Sequence, residues 1–293
     1  MSFPPYSKLG KRSIKSSRCC FVRLSSFDLF WESDIFTSIH IYNFVHDWKI
    51  KIGTAPIFLT CFSLLTIILT MPRISRAVAV GHPHHVTQRG NYRQTVFETD
   101  HDYLLYLDWL KTYCQKHSLK MWAYCLMGNH VHFITVPMEE DSLARVFNTL
   151  HMRYSQYIND RRNARGHLWQ GRFFSCVLDE RHLYAGVKYV ENNPVRAGIA
   201  RKADAYRWSS ARAHVRKIAD PVLSGDCYLE KNIKDWSEYL ASFEDKFLID
   251  AIRTNTKTGR PCGENSFIAA IENLLGRGLA AQPRGRPKNR TVK

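Results

Sequence analysis

Hydrophobic and polar residues alternate with a period of two in some segments of this 293-residue chain and recur at helical spacing in others. The segments with strand character lie at residues 84–88, 119–127, 130–137 and in the second half of 166–178. The segments with helical character lie at residues 100–116, 143–160 and 181–193. Thr99 and Ser142 precede the first two helical segments and are typical N-cap residues. The pattern predicts the order strand, helix, strand, strand, helix, strand, followed by one more helix.

This order predicts a ferredoxin-like α+β fold, which is an antiparallel sheet with both helices packed on one face. Gly128 and Asn129 separate the second and third strands and predict a hairpin. The opposite face of the sheet is expected to be open, as in many proteins that bind single-stranded nucleic acid. The C-terminal part predicts a helical extension that includes a helix from Glu264 to Leu275.

The first seventy residues differ from the rest and contain an apolar run, Ala55–Thr70, that stops at Met71. The run is at or below the length of a membrane-spanning helix and lies too far from the N-terminus for an ordinary signal peptide. We interpret this segment as upstream sequence translated in error, with a short membrane anchor as the alternative. The expected organisation is an N-terminal extension at 1–70, a main domain at 71–215, a helical extension at 216–280 and a basic tail at 281–293.

Basic residues outnumber acidic residues by 42 to 26, which gives a formal net charge of +16 and a pI near 9.6. Such an excess favours a polyanionic partner, with nucleic acid as the first candidate and an anionic membrane surface as the second. The eight cysteines form no C-x-x-C pair. Their spacing argues against a disulfide framework or a zinc finger and favours a reducing compartment, so we expect a cytoplasmic protein.

A pair of histidines interrupts the apolar strand that follows the hairpin. Alternation places His130 and His132 on one side of the strand, about 7 Å apart, where both can bind one ion if a third ligand comes from elsewhere. Paired histidines on a solvated sheet face are the alternative, because His-x-His pairs also arise by chance. The chain holds a second such pair, His82 and His84, for which, as for His85, we expect a turn or surface role.

The last predicted helix carries Tyr189 and Asn193, which are four residues apart and therefore share one face. Tyr189 is a candidate nucleophile, and a core aromatic on the apolar face of this helix is the alternative. Tyr184, five residues earlier, is the competing tyrosine. Asn193 precedes Pro194 and is expected to be the final or capping residue of the helix, so a simple cap is the alternative to a binding role.

The stretches HHVTQRGNYRQTVF, YCLMGNHVHFI and YVENNPVRAG, in this order, resemble the REP-associated tyrosine transposases, relatives of the single-strand insertion-sequence transposases. The resemblance covers about residues 71–215. It implies that Tyr189 attacks a DNA phosphate to form a 5′-phosphotyrosine, and that His130 and His132 bind Mg²⁺ or Mn²⁺. Asn193 stands where the insertion-sequence relatives have Gln and is the implied third ligand. The implied substrate is single-stranded DNA folded into palindromic hairpins, with a monomer favoured over a dimer.

Basic and aromatic residues near these motifs are candidates for DNA contacts, with an ordinary solvated surface as the alternative. The candidates are Arg89, Arg93, Arg161, Arg162, Arg165, Trp169, Arg172, Arg284 and Arg286. The last two belong to the sequence Arg-Gly-Arg-Pro, which resembles the core of an AT-hook, and a disordered basic tail is the alternative there.

A DNA-hairpin-binding or regulatory protein that lacks the reaction is the alternative function on the same fold. A hydrolase of small phosphates predicts further carboxylate ligands near the histidine pair, such as an Asp at position 134, and is disfavoured because this residue is Ile. We expect neither a small-molecule substrate nor a membrane partner.

Overall fold

Four antiparallel strands form one sheet in the order β2-β3-β1-β4, in a computed structural model that describes residues 76–279. The strands are β1 His84–Arg89, β2 Leu119–Met127, β3 His130–Pro137 and β4 Phe174–Val177. With the helices below, this sheet confirms the predicted α+β, ferredoxin-like arrangement. Because β1 and β3 are the central strands, their side chains lie in the middle of the sheet.

The helices begin and end close to where the sequence pattern predicts them. Within residues 76–279 the α-helices are α1 Asp100–Lys116, α2 Ser142–Arg161, α3 Glu180–Glu191, α4 Asn193–Arg196, α5 Ala211–Arg216, α6 Tyr228–Asn232, α7 Trp236–Ala241, α8 Lys246–Thr258 and α9 Asn265–Leu275. Thr99 caps α1 and forms a capping box with Asp102, as its sequence predicts. Ser142 is the first residue of α2 rather than its cap, and its hydroxyl accepts a hydrogen bond from the Glu139 N–H at 3.1 Å.

Helices α1 and α2 cover one face of the sheet. Val86, Val131 and Phe133 pack there in one apolar cluster with Tyr106 of α1 and Phe147 of α2, and all five are fully buried. Burial of large apolar side chains is the main contribution to the stability of such a core. Since side chains alternate along β3, this packing leaves the two histidines for the opposite face.

The opposite face of the sheet is covered as well, by α3 and by α8 of the C-terminal extension. Ile134 and Cys176 belong there to a second apolar cluster with Val187 of α3 and Ile252 of α8. The expectation of an open sheet face for nucleic acid is therefore wrong in this region. The apolar faces of α3 and α8 need a partner surface, and the sheet supplies it.

The helix that carries Tyr189 ends earlier than predicted. Helix α3 ends at Glu191, Asn192 caps it, and Asn193 begins the short helix α4. Pro194 has no N–H to donate to the preceding turn, so a continuous helix would lack a hydrogen bond there. The prediction that Asn193 ends the helix is wrong, and Tyr189 and Asn193 do not share one continuous helical face.

The described residues fall within one compact unit, Pro72–Lys293. None of their helices is long and apolar enough to cross a membrane. The interpretation of residues 1–70, and the AT-hook resemblance that rests on Arg284 and Arg286, concern residues outside 76–279. These interpretations and the expected domain boundaries stay predictions.

Candidate active site

The two histidines of β3 lie on the face of the sheet that α3 covers. The register pairs His130 with Arg89 and His132 with Thr87, so both imidazoles lie between the central strands and the helix. Their ring centroids are 5.1 Å apart and their ring planes are nearly perpendicular, at 84°. His132 is 5% exposed, whereas His130 at the start of the strand is only partly buried.

Tyr189 of α3 contacts this pair. Its ring centroid lies 5.5 Å from that of His132, with the ring planes at 85°, and the residue is 7% exposed. Tyr184 lies instead against Tyr239, with 6.5 Å between ring centroids, and its carbonyl oxygen accepts a hydrogen bond from the Tyr239 hydroxyl. Of the two tyrosines that the sequence offers, the structure places Tyr189 at the histidines.

A glycine allows α3 to lie close to the sheet at this point. A Cβ atom on Gly186 would lie 3.1 Å from Leu178 Cδ1 and 3.3 Å from Ile134 Cδ1, which is tighter than ordinary packing. Gly186 is three residues before Tyr189, on nearly the same side of the helix. The close approach at Gly186 therefore sets how near the Tyr189 ring lies to the histidines.

Two arginines from different parts of the chain lie against the Tyr189 side chain. Arg253 of α8 donates from Nε to the Tyr189 hydroxyl at 3.4 Å, and its guanidinium also pairs with Asp250 at 3.0 Å. Arg196 of α4 has its guanidinium carbon 4.3 Å from the centroid of the Tyr189 ring and pairs with Glu244 at 2.9 Å. The phenol therefore lies beside positive charge, which favours a bound phosphate at this position.

A third histidine joins the cluster from β1. His85 is 1% exposed, and its ring stacks on that of His132 with 5.2 Å between centroids. Its Nε2 lies 2.9 Å from His132 Nδ1, and its Nδ1 lies 2.7 Å from Thr256 Oγ1 of α8. The expectation of a turn or surface role for His85 is wrong, because it lies on a central strand under two helices. The same correction applies to His84, which is fully buried.

Asn193 lies partly buried at the start of α4. Its Nδ2 atom is buried, and no described residue forms a hydrogen bond with it. The nitrogen and oxygen of a carboxamide exchange places when the group is flipped, so the buried atom can equally be the oxygen that binds a cation. An unpaired buried amide costs about 1–3 kcal/mol. The Asn193 side chain is therefore available for a bound ligand.

Residues 79–193 match the family model described as Transposase IS200 like. The matched segment contains β1, both β3 histidines and Tyr189, and it ends at Asn193. This part of the chain is similar to the IS200-like transposases, which supports a transposase activity for the protein. No curated protein matches the sequence.

Solved structures similar to this chain include two with related descriptions. One is a REP-associated tyrosine transposase bound to a REP hairpin, with 18% identity, coverage of 54% of this chain and 93% of that chain, and a TM-score of 0.43. The other is a protein from Deinococcus radiodurans R1 described as a transposase, with 18% identity, coverage of 41% and 97%, and a TM-score of 0.30. Both TM-scores are below 0.5, so the similarity to transposases is based on the match of residues 79–193.

The histidine cluster offers donors that fit a metal ion. Burial lowers the pKa of His130 to about 4 and holds that of His132 well below its usual range, so both imidazoles are neutral at neutral pH. No described residue forms a hydrogen bond with Nε2 of either ring. His85 is not a candidate ligand, because both of its ring nitrogens are hydrogen-bonded.

A third metal ligand beside His130 and His132 would have to be something other than a further histidine or a carboxylate. Within residues 76–279 no group of three or more His, Cys, Asp or Glu residues is arranged to hold a metal ion. The carboxamide of Asn193, the third ligand that the family resemblance implies, is a neutral donor of a different type, and its buried amide atom has no partner among the described residues. Two imidazole nitrogens and one carboxamide oxygen suit Mn²⁺, and also Mg²⁺ although it prefers oxygen ligands more strongly.

The predicted DNA-binding residues differ in exposure and in their contacts. Four of the arginines are exposed, namely Arg89, Arg93, Arg165 and Arg172. Arg161 and Arg162 of α2 form ion pairs with Glu98, and Arg161 also pairs with the buried Asp102, so they tie α2 to the start of α1. Trp169 is 6% exposed and packs in the core, which corrects its assignment as a surface for base stacking.

Sequence reasoning missed four residues of the cluster, namely His85, Arg196, Thr256 and Arg253. Arg196 lies within YVENNPVRAG, one of the stretches that carry the resemblance, so a signal for it was present. Alternation along β1 could have placed His85 on the same face as Arg89, the strand partner of His130. Arg253 and Thr256 lie far from the motifs in sequence and have no local signal of their own.

Proposed function

We propose that this protein is a transposase that cleaves and rejoins single-stranded DNA, with Tyr189 as the nucleophile and His130, His132 and Asn193 as metal ligands. The observation that carries the proposal is the position of Tyr189. Its ring lies 5.5 Å from that of His132, and its hydroxyl accepts a hydrogen bond from Arg253. A nucleophilic hydroxyl, two neutral imidazoles and a guanidinium in one cluster are groups that phosphoryl transfer uses.

In the proposed reaction the Tyr189 hydroxyl oxygen attacks a phosphorus atom of the DNA backbone. A bond forms between this oxygen and phosphorus, and the bond between phosphorus and the 3′ oxygen breaks. The phenol loses a proton and the departing 3′ oxygen gains one, so the products are a 5′-phosphotyrosine and a free 3′ hydroxyl. Because a phenolate leaves more readily than an alkoxide, a 3′ hydroxyl of DNA can reverse the step and rejoin the strand.

The other residues of the cluster have separate roles in this proposal. His130, His132 and Asn193 would hold Mg²⁺ or Mn²⁺, which polarises the scissile phosphate and offsets charge in the transition state when it is bound. Arg253, already hydrogen-bonded to the Tyr189 hydroxyl, would donate to the phenolate and to the phosphate that takes its place. Tyr189 is thereby kept in one position before and after the bond is made.

The substrate we propose is single-stranded DNA that folds into a short palindromic hairpin. Arg89 is the strand partner of His130 and is exposed, so positive charge lies next to the site. Together with the net charge of +16, this supports phosphate contacts beside the catalytic groups. We further propose that the protein acts as a monomer in the cytoplasm, and the free thiols of its described cysteines agree with a reducing compartment.

A covalent adduct assay with the full chain tests the proposal. Hairpin oligonucleotides from the DNA that flanks the gene are labelled at the 3′ end, which stays with the fragment that carries the 5′ phosphate. They are incubated with Mn²⁺, Mg²⁺ or EDTA and separated on a denaturing protein gel. We expect a labelled adduct that requires the metal ion, is lost in Tyr189→Phe and is retained in Tyr184→Phe.

The two tyrosine variants separate the nucleophile from a general effect of removing a hydroxyl from α3. An adduct that survives Tyr189→Phe would show that another residue attacks the phosphate. Tight hairpin binding without an adduct under either metal would favour a regulatory DNA-binding protein on the same fold.

A further inference from the structure

Thr256 connects the C-terminal extension to the histidine cluster through a single buried hydroxyl group. The Thr256 hydroxyl donates to the carbonyl oxygen of Ile252, one turn earlier in α8, at 2.7 Å. Its oxygen also lies 2.7 Å from His85 Nδ1 and 3.1 Å from Cys176 Sγ. A hydroxyl has one hydrogen to donate and two lone pairs that accept. With its hydrogen directed to Ile252, Thr256 accepts from the His85 N–H and from the Cys176 thiol.

These directions determine where the hydrogens lie on the two stacked imidazoles. His85 is almost completely buried and has no carboxylate among its hydrogen-bond partners, so it is neutral and carries one ring hydrogen. If that hydrogen is on Nδ1, facing Thr256, then Nε2 is a bare acceptor. The only ring hydrogen of His132 must then lie on Nδ1, which faces His85 Nε2 at 2.9 Å.

The Nε2 atom of His132 is therefore left with a free lone pair, which is the form of imidazole that binds a metal ion. In the opposite arrangement, Thr256 would donate to His85 Nδ1 and His85 Nε2 would donate to His132 Nδ1. The ring hydrogen of His132 would then lie on Nε2 and prevent this atom from binding a metal ion. Reversal would also turn the Thr256 hydroxyl away from the Ile252 carbonyl, which it contacts in the structure.

We propose that Thr256 is a positioning residue that fixes, through His85, the tautomer of His132 in which Nε2 can bind a metal ion. This inference rests on the proposed metal role of His132. It assigns the C-terminal extension a part in the active site, although Thr256 lies outside residues 79–193, which match the transposase family. The extension would orient the proposed metal ligand His132 through hydrogen bonds, without contacting the metal ion itself.

The test is the hydrogen position on His132 in the metal-free protein. The full chain is labelled with ¹⁵N-histidine, the ring nitrogens are observed by long-range ¹H–¹⁵N correlation NMR at neutral pH, and His132→Gln and His85→Gln spectra assign the signals. In the wild-type protein we expect the hydrogen on Nδ1 of both His132 and His85. Thr256→Val has nearly the same shape but lacks the oxygen, so we expect the ratio of the two His132 tautomers to change about tenfold.

Two variants serve as matched controls for Thr256→Val. Thr256→Ser keeps the hydroxyl and should restore the wild-type tautomer, and Cys176→Ala removes the other donor to this oxygen and should leave the tautomer unchanged. Titration with Mn²⁺, with free Mn²⁺ measured by EPR, should show an affinity lower by about 10- to 100-fold in Thr256→Val than in Thr256→Ser. Should Thr256→Val fail to fold, Thr256→Ala provides the same comparison.

The inference is overturned if His132 carries its hydrogen on Nε2 in the wild-type protein, or if its tautomer is the same in Thr256→Val as in the wild type. Neither result depends on DNA cleavage. The Tyr189→Phe adduct assay can therefore support or exclude the proposed function independently of the role of Thr256.

Discussion

Arg253 is the residue whose side chain meets the proposed nucleophile most directly. Its hydrogen bond to the Tyr189 hydroxyl is 3.4 Å long, and the bond should shorten when negative charge develops on that oxygen or on a bound phosphate. A hydrogen bond to a charged group contributes about 1.5–3 kcal/mol. We therefore expect Arg253→Gln to lower the initial rate of adduct formation by about 10- to 100-fold.

The matched control for this substitution is Arg181→Gln on α3. The Arg181 side chain is 65% exposed and pairs with Asp245 at 3.6 Å. Arg181→Gln therefore removes the same positive charge as Arg253→Gln, but at a position away from the cluster. If both variants lose the same fraction of the rate, the effect belongs to net charge and DNA binding rather than to contact with Tyr189.

At the same scale, the sequence could predict the residues that act through local spacing. His130 and His132 share a strand face by alternation alone, and Tyr189 lies on the helix that the pattern predicted. His85 contacts His132 only because β1 pairs with β3 in one particular register, and a single sequence does not specify that register. The position of Arg253 beside Tyr189 depends on the packing of α8 against the sheet, which local sequence spacing does not predict.

At the scale of elements, the distance between α3 and the sheet controls the site. A side chain at Gly186 would be tightly packed, since its Cβ would lie 3.1 Å from Leu178 Cδ1 and 3.3 Å from Ile134 Cδ1. We expect Gly186→Leu to lower the free energy of unfolding by about 1–3 kcal/mol, because the helix must move outward to accept the larger side chain. Displacement of Tyr189 by about 1 Å should also lower the adduct rate by about 100-fold.

Urea unfolding and the adduct assay together measure these two effects, and Ala185→Leu is the control on the neighbouring, less buried position of α3. A Gly186→Leu protein with normal stability and a normal adduct rate would show that the close approach is not required.

The element boundaries show where sequence patterns are sufficient and where they are not. Helix α1 begins and ends where the pattern predicts, because its capping box and its apolar spacing are both local. The pattern predicts that α3 ends at Asn193, directly before Pro194, whereas the helix ends at Glu191 and Asn192 caps it. Asn193 is therefore the first residue of α4 and does not cap α3. Its unpaired amide is consistent with the proposed ligand role.

At the scale of the whole molecule, stability depends on histidines that are buried without charge. His151 of α2 is 6% exposed, its Nε2 lies 2.9 Å from the Tyr106 hydroxyl, and burial lowers its pKa to about 3 from an ordinary value of 6.5. His84 shifts in the same direction, to about 4, mainly because of burial. Below pH 6.5 the unfolded chain therefore binds protons that the folded protein does not. The stabilisation from both groups is complete above pH 6.5 and decreases as the pH falls. The decrease ends near pH 4 for His84 and near pH 3 for His151, where the folded protein also binds the proton.

His151 gives this pH dependence a test away from the proposed metal ligands. Between pH 6 and pH 5 its ring should be charged in the unfolded chain and neutral in the folded protein, so it contributes close to one proton to the slope. His151→Gln keeps a side-chain oxygen that can accept from Tyr106 and removes the titration, and we expect the slope of unfolding free energy against pH to decrease by about 1.4 kcal/mol per pH unit. Urea unfolding at several pH values in this window measures the slope, with His101→Gln at an exposed position as the control for the substitution itself. An unchanged slope in His151→Gln would mean that His151 binds its proton in the folded protein, and the close packing of α1 on α2 around this ring would then have to open at mildly acidic pH.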